Sequence, residues 1–474
     1  MEKRFSPYLS KIKPTLKLLL DELLKLFPYA SILAVDVKGK RFTVNTRTVS
    51  IADSRTSERG FVVRVNTRNN YCEYSFNNIN EDNYNEILLH IVKQTRMIEI
   101  IGDKKEVDLT DLPLINEEVI NKSFYRDTLK VGLSTKEIIE KLNELKDEIH
   151  NHSDMDVNGI ANLELTEVSK MFLSSNKDLE QYYNWGDGVI LAATSSDKGV
   201  KYNFSSESGC SLEEILTKLK EKTAELVDVA SKLHRARPVK PGTYDVICSP
   251  EVTGLIAHEA FGHGVEMDMF VKNRAKAIEY LNKEVASNKV NMYDGANVFE
   301  QVSSYFFDDE GTLAQNTQII DNGILKNGIN DVLTAMRLNV LPTGNGKRES
   351  FERKAYTRMT NTYFAPGNDK LEDMIKSIKH GYFLVGSLSG MEDPKNWGIQ
   401  CIASYGIEII NGKLTSNWIA PVLITGYVPD LLKSITMVSD DLEMFGSGYC
   451  GKGYKEFVKV SDGGPYLKAR VRLG

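Results

Sequence analysis

The 474-residue sequence predicts an α+β protein with a helix-and-strand first half and a strand-rich second half. Three observations indicate this fold class: a repeated pattern before residue 236, Asn-Gly pairs between apolar residues after it, and a helix signal near residue 250. Hydrophobic residues make up 41% of the chain and charged residues 26%, which is ordinary for a globular protein. This length provides apolar residues for more than one core.

The repeated pattern keeps one constant spacing along the first half. Stretches that begin at residues 60, 74 and 86 resemble stretches that begin at residues 188, 202 and 214. Because the spacing is shared, it predicts two similar units over 1–100 and 130–236, with a linker over 101–129. Strands bounded by turns indicate antiparallel sheet with helices on one face. Convergence of unrelated amphipathic patterns is the alternative.

Each unit is expected to begin and end with a helix and to contain strands between them. In the first unit the helices are predicted at 16–26 and 84–94, and the strands at 31–36, 61–65 and 71–76. In the second unit the helices are predicted at 135–149 and 212–233, and the strands at 161–166, 189–193 and 200–204.

A second domain is expected over 237–474, because prolines follow the long helical pattern at that point. Asn322-Gly323 and Asn411-Gly412 each lie between apolar residues and predict antiparallel hairpins. One helix is expected to begin at Ser249-Pro250, with Ser249 as its cap, and to continue through His258. The second half is therefore predicted to be β-rich and to carry this helix.

The predicted helix contains the most informative stretch of the chain, His-Glu-Ala-Phe-Gly-His at 258–263. Two imidazoles can hold a divalent cation, and Glu259 can take a proton from water that the cation activates. The two histidines are five positions apart, a spacing that on an ideal α-helix would turn their side chains roughly 140° from each other. They can meet at one ion only if the helix has a wider, π-type turn or ends between them. Gly262 would permit this.

A catalytic zinc site needs a third protein ligand and an open position. The candidates are Glu266, Asp268, His380 and the cysteines, among which Cys450 stands out because glycines surround it. A chance His-Glu-x-x-x-His pattern, with structural or exposed histidines, is the alternative in a chain that contains seven histidines.

Several segments together resemble the TldD/PmbA metallopeptidases, also called modulators of DNA gyrase, and specifically their metal-bearing TldD-like branch. The matching segments are 258–268, 308–311, 343–346, 358–362 and 450–452, in the family's order. The resemblance implies one zinc per active chain, bound by His258, His263 and Cys450, with Glu259 as the general base. Residues 389–392 depart from the family's usual Gly-Gly-x-Val, which affects the expected substrate surface more than the metal.

The same resemblance implies a peptidase that cuts short or unfolded peptides and acts as a homodimer or as a heterodimer with a paralogous family member. A non-catalytic scaffold or maturation partner in a TldD/TldE-like assembly is the alternative. Five further residues in the matched segments are expected to support the ligands or to contact the substrate: Glu266, Asp268, Asp309, Arg358 and Asn361. Purely structural roles are the alternative for these five.

Charge and composition argue against other classes of function. The net charge of −6 provides no basic footprint for nucleic acid. No apolar run reaches the roughly 20 residues that a membrane span needs. The five cysteines are odd in number and show no paired spacing, which favours a reducing, cytoplasmic location.

Overall fold

The structure is a computed structural model that describes residues 5–67, 70–103, 113–152, 156–452 and 456–474. The fold is mixed α+β, as predicted. In the first half the described helices are α1 (Pro7–Leu26), α2 (Tyr84–Asp103), α3 (Thr135–Asn151), α4 (Leu212–Glu221) and α5 (Thr223–Lys232). The described strands there are β1 (Ala30–Asn45), β2 (Val49–Asp53), β3 (Glu58–Asn66), β4 (Tyr71–Phe76), β5 (Ile120–Arg126), β6 (Val157–Ser174), β7 (Lys177–Ser196) and β8 (Gly199–Gly209).

These strands form a single eight-stranded sheet, in which the two predicted units share the antiparallel β1–β6 pair. The order β4-β3-β1-β6-β7, with β8 against β7, is symmetric about that pair. A duplication would give such an order, and the duplication itself stays a prediction. Every strand and helix predicted in the two units is confirmed, although most are longer than expected and the helix over 212–233 divides into α4 and α5 at Lys222.

The helices cover one face of this sheet, and the second half of the chain covers part of the other. Along β1, Ile32 and Ala34 pack with the α1 and α2 side chains, and Phe42 and Val44 pack with those of α3, α4 and α5. The side chains that point to the opposite face of the same strand pack against the second half of the chain, in a hydrophobic cluster that includes Phe307. Because side chains alternate along a strand, β1 is buried on both faces.

The prediction of a linker over 101–129 is wrong in one respect. The stretch contains strand β5, which pairs in parallel with β7. The residues of β5 are mostly polar and partly exposed, so the strand lacks the apolar alternation that would reveal it. Residues 104–112 of the predicted linker lie outside the described residues. Strand β2 was also missed, for the same reason: all five of its residues are exposed.

The second half is β-rich, as predicted. Its described strands are β9 (Gly242–Cys248), β10 (Met292–Gly295), β11 (Asn316–Asp321), β12 (Ile324–Leu325), β13 (Gly346–Lys347), β14 (Tyr356–Thr357), β15 (Asn361–Phe364), β16 (His380–Asp393), β17 (Gly398–Ile410), β18 (Lys413–Ile419), β19 (Val422–Tyr427), β20 (Met437–Val438), β21 (Glu443–Phe445), β22 (Tyr449–Lys452), β23 (Glu456–Lys459), β24 (Ser461–Gly464) and β25 (Leu467–Leu473). Its described α-helices are short: α6 (Pro250–Leu255), α7 (Asp268–Val271), α8 (Val332–Leu338), α9 (Leu371–Lys376) and α10 (Val428–Lys433).

One of the two larger sheets in this half closes on itself, because β16 pairs with both β9 and β17 in the path β16-β9-β25-β19-β17. The other has the order β12-β11-β10-β15-β24-β21. Pairing is not purely antiparallel as expected, since β9 with β16 and β15 with β24 run in parallel. Such pairs join strands that are distant in sequence, so no local turn signal announces them.

The two Asn-Gly hairpins are confirmed. Asn322 and Gly323 join β11 to β12 with φ of 47° and 82°, and Asn411 and Gly412 join β17 to β18 with φ of 49° and 76°. Two consecutive residues with positive φ are typical of a type I′ turn, which asparagine and glycine favour. Among the described residues, no helix combines the length and apolar character needed to cross a membrane.

Buried ion pairs join the two halves of the chain at the acidic segment 308–310. Glu310 accepts a hydrogen bond of 2.5 Å from Arg64 of β3, and Asp309 accepts one of 2.5 Å from Lys170 of β6. The side chains of Arg64 and Glu310 are only 7% and 2% exposed. The segment is therefore a structural junction between the halves.

We expect Arg64→Met to lower the free energy of unfolding by about 3–5 kcal/mol, because it leaves the Glu310 carboxylate buried without its partner. Urea unfolding followed by circular dichroism measures the change. Lys40→Met is the matched control, since the Lys40–Asp53 pair is 60% and 72% exposed and its loss should change stability little. Equal losses for the two variants would show that the junction does not depend on this pair.

Candidate metal centre

The backbone around the two histidines contains the wider turn that the sequence requires for convergence. Helix α6 begins after Ser249 and passes at Ile256 into a π-helical stretch over 256–262, followed by a 3-10 turn over 263–265. The N–H of His263 donates to the carbonyl of His258, five residues earlier, which is the bond of a π-helix. The two imidazole rings consequently meet edge to face, with centroids 5.1 Å apart.

Ser249 occupies the expected position before α6 but does not cap it through its side chain. Its hydroxyl instead donates to the carboxylate of Glu251 at 2.6 Å. The prediction of the helix start is therefore confirmed, while the predicted side-chain cap is wrong.

Gly262 is the residue that allows the π-helical stretch to pack. A Cβ at this position would lie 2.2 Å from the sulfur of Met359 and 3.1 Å from the carbonyl oxygen of Ala257. Met359 is fully buried in the large core cluster of the second half. A side chain at this position would therefore require the buried side chain of Met359 to move.

The structure brings the side chains of His258, His263 and Cys450 together. One nitrogen or sulfur atom from each lies within 4.8 Å of the others. The sulfur of Cys450, on β22, lies 3.4 Å from Nε2 of His263 across a sequence separation of 187 residues. His258 and Cys450 are each only 5% exposed. Of the other proposed third ligands, Glu266, Asp268 and His380 do not belong to this cluster.

Electrostatics in the cluster favour the thiolate form of Cys450. Burial opposes ionisation of the thiol, but the imidazoles of His263 and His258 outweigh it and hold the pKa of Cys450 well below its usual range. Two imidazole nitrogens and a thiolate are a donor set that suits zinc, and they leave a fourth tetrahedral position open. A cation bound there would displace the protons that the cluster now shares. The residues therefore fit a divalent metal.

Glu266 lies directly behind His263, as the sequence predicts for a carboxylate that supports a ligand. Its Oε2 lies 3.2 Å from Nδ1 of His263, which leaves Nε2 facing Cys450. Burial would raise the pKa of Glu266, but Lys452 and His263 lower it to about 2. Asp268 forms no hydrogen bond or ion pair with either histidine and instead accepts a hydrogen bond of 2.7 Å from Lys452.

Arg358 supports the opposite side of the cluster. Its Nη2 donates to the backbone carbonyl of Cys450 at 2.5 Å, and its Nε lies 4.0 Å from Oε1 of Glu266. The side chain is 1% exposed and does not line the cavity that contains the histidines. Arg358 is therefore not positioned to contact a substrate in this cavity, contrary to the expectation from the sequence.

Asn361 and Asp309 lie away from the cluster. The amide of Asn361 donates to the carbonyl of Gly295 at 2.7 Å and to the hydroxyl of Ser304 at 3.0 Å, and the residue is 0% exposed. Asp309 bonds Lys170 at the junction between the halves. Neither residue lines the cavity at the histidines, so the prediction that they contact substrate or ligands there is not supported by their positions.

A cavity of about 920 Å³ opens onto the cluster between the two halves of the chain. Residues 203–206 of β8 and side chains of α5 line one wall, and residues 385–392 of β16 line another. Glu259 lies on this cavity with its Oε2 3.9 Å from Nε2 of His263. A Cβ at Gly390 would lie 2.5 Å from Cγ of Glu259, so the strand passes very close to this carboxylate.

Two acidic residues that sequence reasoning did not select as site residues also line the cavity. Glu392 accepts a hydrogen bond of 2.8 Å from the backbone N–H of Gly264, directly after His263. Burial raises the pKa of Asp462 to about 6, against the lowering effect of His258. Asp462 lies about two hundred positions after the histidines in a polar, glycine-containing stretch, which carries no local signal of a site.

Comparison with known proteins agrees with this geometry. Residues 241–470 match the family model of the PmbA/TldA metallopeptidase C-terminal domain. A metalloprotease from Methanothermobacter thermautotrophicus is 31% identical over 64% of this chain and 66% of that protein, just under two thirds of its length. A metalloprotease from Methanocaldococcus jannaschii is 29% identical over 88% of this chain and 92% of that protein. A zinc metalloprotease TldD homologue from Saccharolobus solfataricus is 34% identical over 49% of this chain and 51% of that protein.

Solved structures share the fold across almost the whole chain. A modulator of DNA gyrase from Thermotoga maritima has a TM-score of 0.77 at 17% identity, over 97% of this chain and 100% of that chain. TldE from Thermococcus kodakarensis has a TM-score of 0.76 at 17% identity, over 97% and 99%. Sequence and fold together define the class of protein: residues 241–470 match the C-terminal domain of PmbA/TldA metallopeptidases, and the fold is shared with TldE. The chain belongs to the PmbA/TldD metallopeptidase family.

We expect Gly262→Ala to lower the free energy of unfolding by about 1–3 kcal/mol, because the new methyl group overlaps the sulfur of Met359. Thermal unfolding followed by calorimetry measures the change. Gly398→Ala is the control, since nothing lies within 4 Å of a Cβ at that position. In a Met359→Ala background the Gly262→Ala change should cost clearly less. A cost that is the same in both backgrounds would contradict the overlap.

Proposed function

We propose that this chain is a zinc-dependent peptidase of the metal-bearing TldD-like branch, which hydrolyses bonds in short or unfolded peptides. The observation that carries the proposal is the convergence of His258, His263 and Cys450 on one cavity, with Glu259 beside them. The name of the relative from Saccharolobus solfataricus, a zinc metalloprotease, supports the same metal.

The chemistry divides between a metal and the residues of the chain. Zinc, when bound, would supply a Lewis acid that polarises the peptide carbonyl and acidifies water. Glu259 is the general base: it accepts the proton of the attacking water and passes it to the leaving amine. Its carboxylate is 17% exposed toward the cavity, so it can reach both water and substrate. The carboxylate of Glu266 contacts Nδ1 of His263. The other nitrogen of that imidazole, Nε2, is then directed at the proposed position of the metal.

The substrate is proposed to bind as an extended strand along β16. This strand pairs with β17 over most of its length, but with β9 only over Gly381–Leu384. Within the described residues, the side of β16 beyond Leu384 that faces away from β17 has no strand partner, and residues 385–392 line the cavity. Main-chain hydrogen bonds to such an edge give affinity with loose side-chain selectivity.

An extended strand is a conformation that folded proteins rarely expose, which supports unfolded or short peptides as the substrate class. We propose that access is further limited by assembly, either with a second copy of this chain or with a paralogue that lacks the metal motif. In the part of the chain that the structure describes, no disulfide joins any of the five cysteines, which supports the proposed reducing, cytoplasmic location.

We expect Glu259→Gln to retain zinc and to lower peptide turnover by on the order of 10²–10⁴-fold, because the general base is removed while the ligands remain. Turnover is measured on a fluorogenic unstructured peptide, and bound zinc by atomic emission on the same sample. Chelation should abolish turnover of the unaltered protein, and added zinc should restore it.

Glu352→Gln is the matched control, because it removes the same charge from an exposed position outside the cavity and should leave turnover unchanged. Unchanged turnover in a zinc-bearing Glu259→Gln sample would exclude Glu259 as the base. Absence of both zinc and turnover from the unaltered protein would instead favour the non-catalytic scaffold.

A further inference from the structure

Lys452 lies two residues after Cys450 on β22 and is 11% exposed. Its ammonium group forms an ion pair with Oε2 of Glu266 at 3.0 Å and donates hydrogen bonds to Oδ1 of Asp268 at 2.7 Å and to the carbonyl of Thr357 at 2.9 Å. Lys452 lines the cavity, but its ammonium group is held against two carboxylates and a backbone carbonyl of the chain itself.

The acceptor on Glu266 gives this lysine a specific position in the site. The Oε2 atom that pairs with the Lys452 ammonium group is the same atom that lies 3.2 Å from Nδ1 of His263. Lys452 thus links the strand that carries Cys450 to the carboxylate that orients His263. Glu266 is 2% exposed, and its other close cation, Arg358, lies 4.0 Å from Oε1. Among the described residues, no lysine or arginine other than Lys452 forms an ion pair with this Oε2, whose remaining neighbour is His263.

We propose that Lys452 is a positioning residue of the metal site, which holds Cys450 and His263 at the separation that one zinc requires. The inference rests on the proposed function and extends it to a residue that is neither ligand nor base. Without the ammonium group, Glu266 loses the partner that fixes its Oε2, and β22 loses its connection to the residues after the π-helical stretch. His263 and Cys450 then no longer keep a fixed separation before the metal arrives, so ordering them costs binding free energy.

Lys452→Met removes the charge and keeps the volume of the stem. We expect it to weaken zinc binding on the order of ten- to a hundredfold, which is the effect of losing a group that supports a metal ligand. The affinity is measured on the full chain by competition with a chromophoric chelator, and folding by circular dichroism. Lys272→Met is the matched control, because Lys272 also bonds Asp268, at 3.1 Å, but forms no ion pair with Glu266. It should change the affinity less than twofold.

A double variant tests whether Lys452 acts through Glu266. In a Glu266→Gln background, Lys452→Met should weaken zinc binding by much less than it does alone, because the intermediate carboxylate is already lost. Lys452→Arg, which keeps a cation at this position, should bind zinc more tightly than Lys452→Met. If Lys452→Met does not fold, the comparison of Lys452→Arg with unaltered protein in the two Glu266 backgrounds decides the same question.

Zinc affinity also separates this inference from the proposed function. Zinc binding by the unaltered protein without peptide turnover would overturn the peptidase proposal. The role of Lys452 would then still be decided by the zinc affinities of the variants. Equal affinities for Lys452→Met and Lys272→Met would overturn the inference while peptidase activity stands. A full, additive loss in the Glu266→Gln background would also overturn it, because Lys452 would then act by another route.

Discussion

The five-residue spacing of His258 and His263 requires a backbone hydrogen bond that an α-helix does not make. The N–H of His263 reaches the carbonyl of His258, and the π-helical turn that results carries both imidazoles to the same side of the chain. Such π-helical turns are rare and are frequently found at functional sites. Here Gly262 leaves space beside the turn, and the buried side chain of Met359 occupies it. The position of the metal cluster follows from this local geometry.

The rest of the fold brings the distant groups to that turn. Strand β22 carries Cys450 to within 3.4 Å of His263, and Arg358 holds the backbone carbonyl of Cys450. Glu266 joins the two sides, since it contacts His263 and is surrounded by buried cations. The cavity beside the cluster lies between the two halves of the chain, whose relative placement depends on buried ion pairs at residues 308–310. One set of buried ion pairs therefore joins the halves that enclose the cavity, and a separate set around Glu266 positions the residues of the cluster.

The sequence predicted what depends on local pattern and missed what depends on distant pairing. The Asn-Gly hairpins, the repeated helices and strands of the first half and the need for a wider turn follow from neighbouring residues, and the structure contains each of them. Strands β2 and β5 were missed because their residues are mostly exposed. Asp309 and Asn361 are in segments that match the family, but no spacing rule could reveal that their partners are Lys170 and Gly295. Asp462 reaches the cavity through sheet pairing and carries no local signal.

The central claim is that one zinc ion binds two imidazoles and one thiolate from residues separated by almost the whole second half of the chain. Zinc K-edge X-ray absorption of the loaded protein tests it most directly, because sulfur and nitrogen scatter at different distances. The account predicts one sulfur at about 2.3 Å and nitrogen or oxygen neighbours at about 2.0–2.1 Å. A zinc environment of nitrogen and oxygen alone, with Cys450 open to alkylation in the loaded protein, would contradict it.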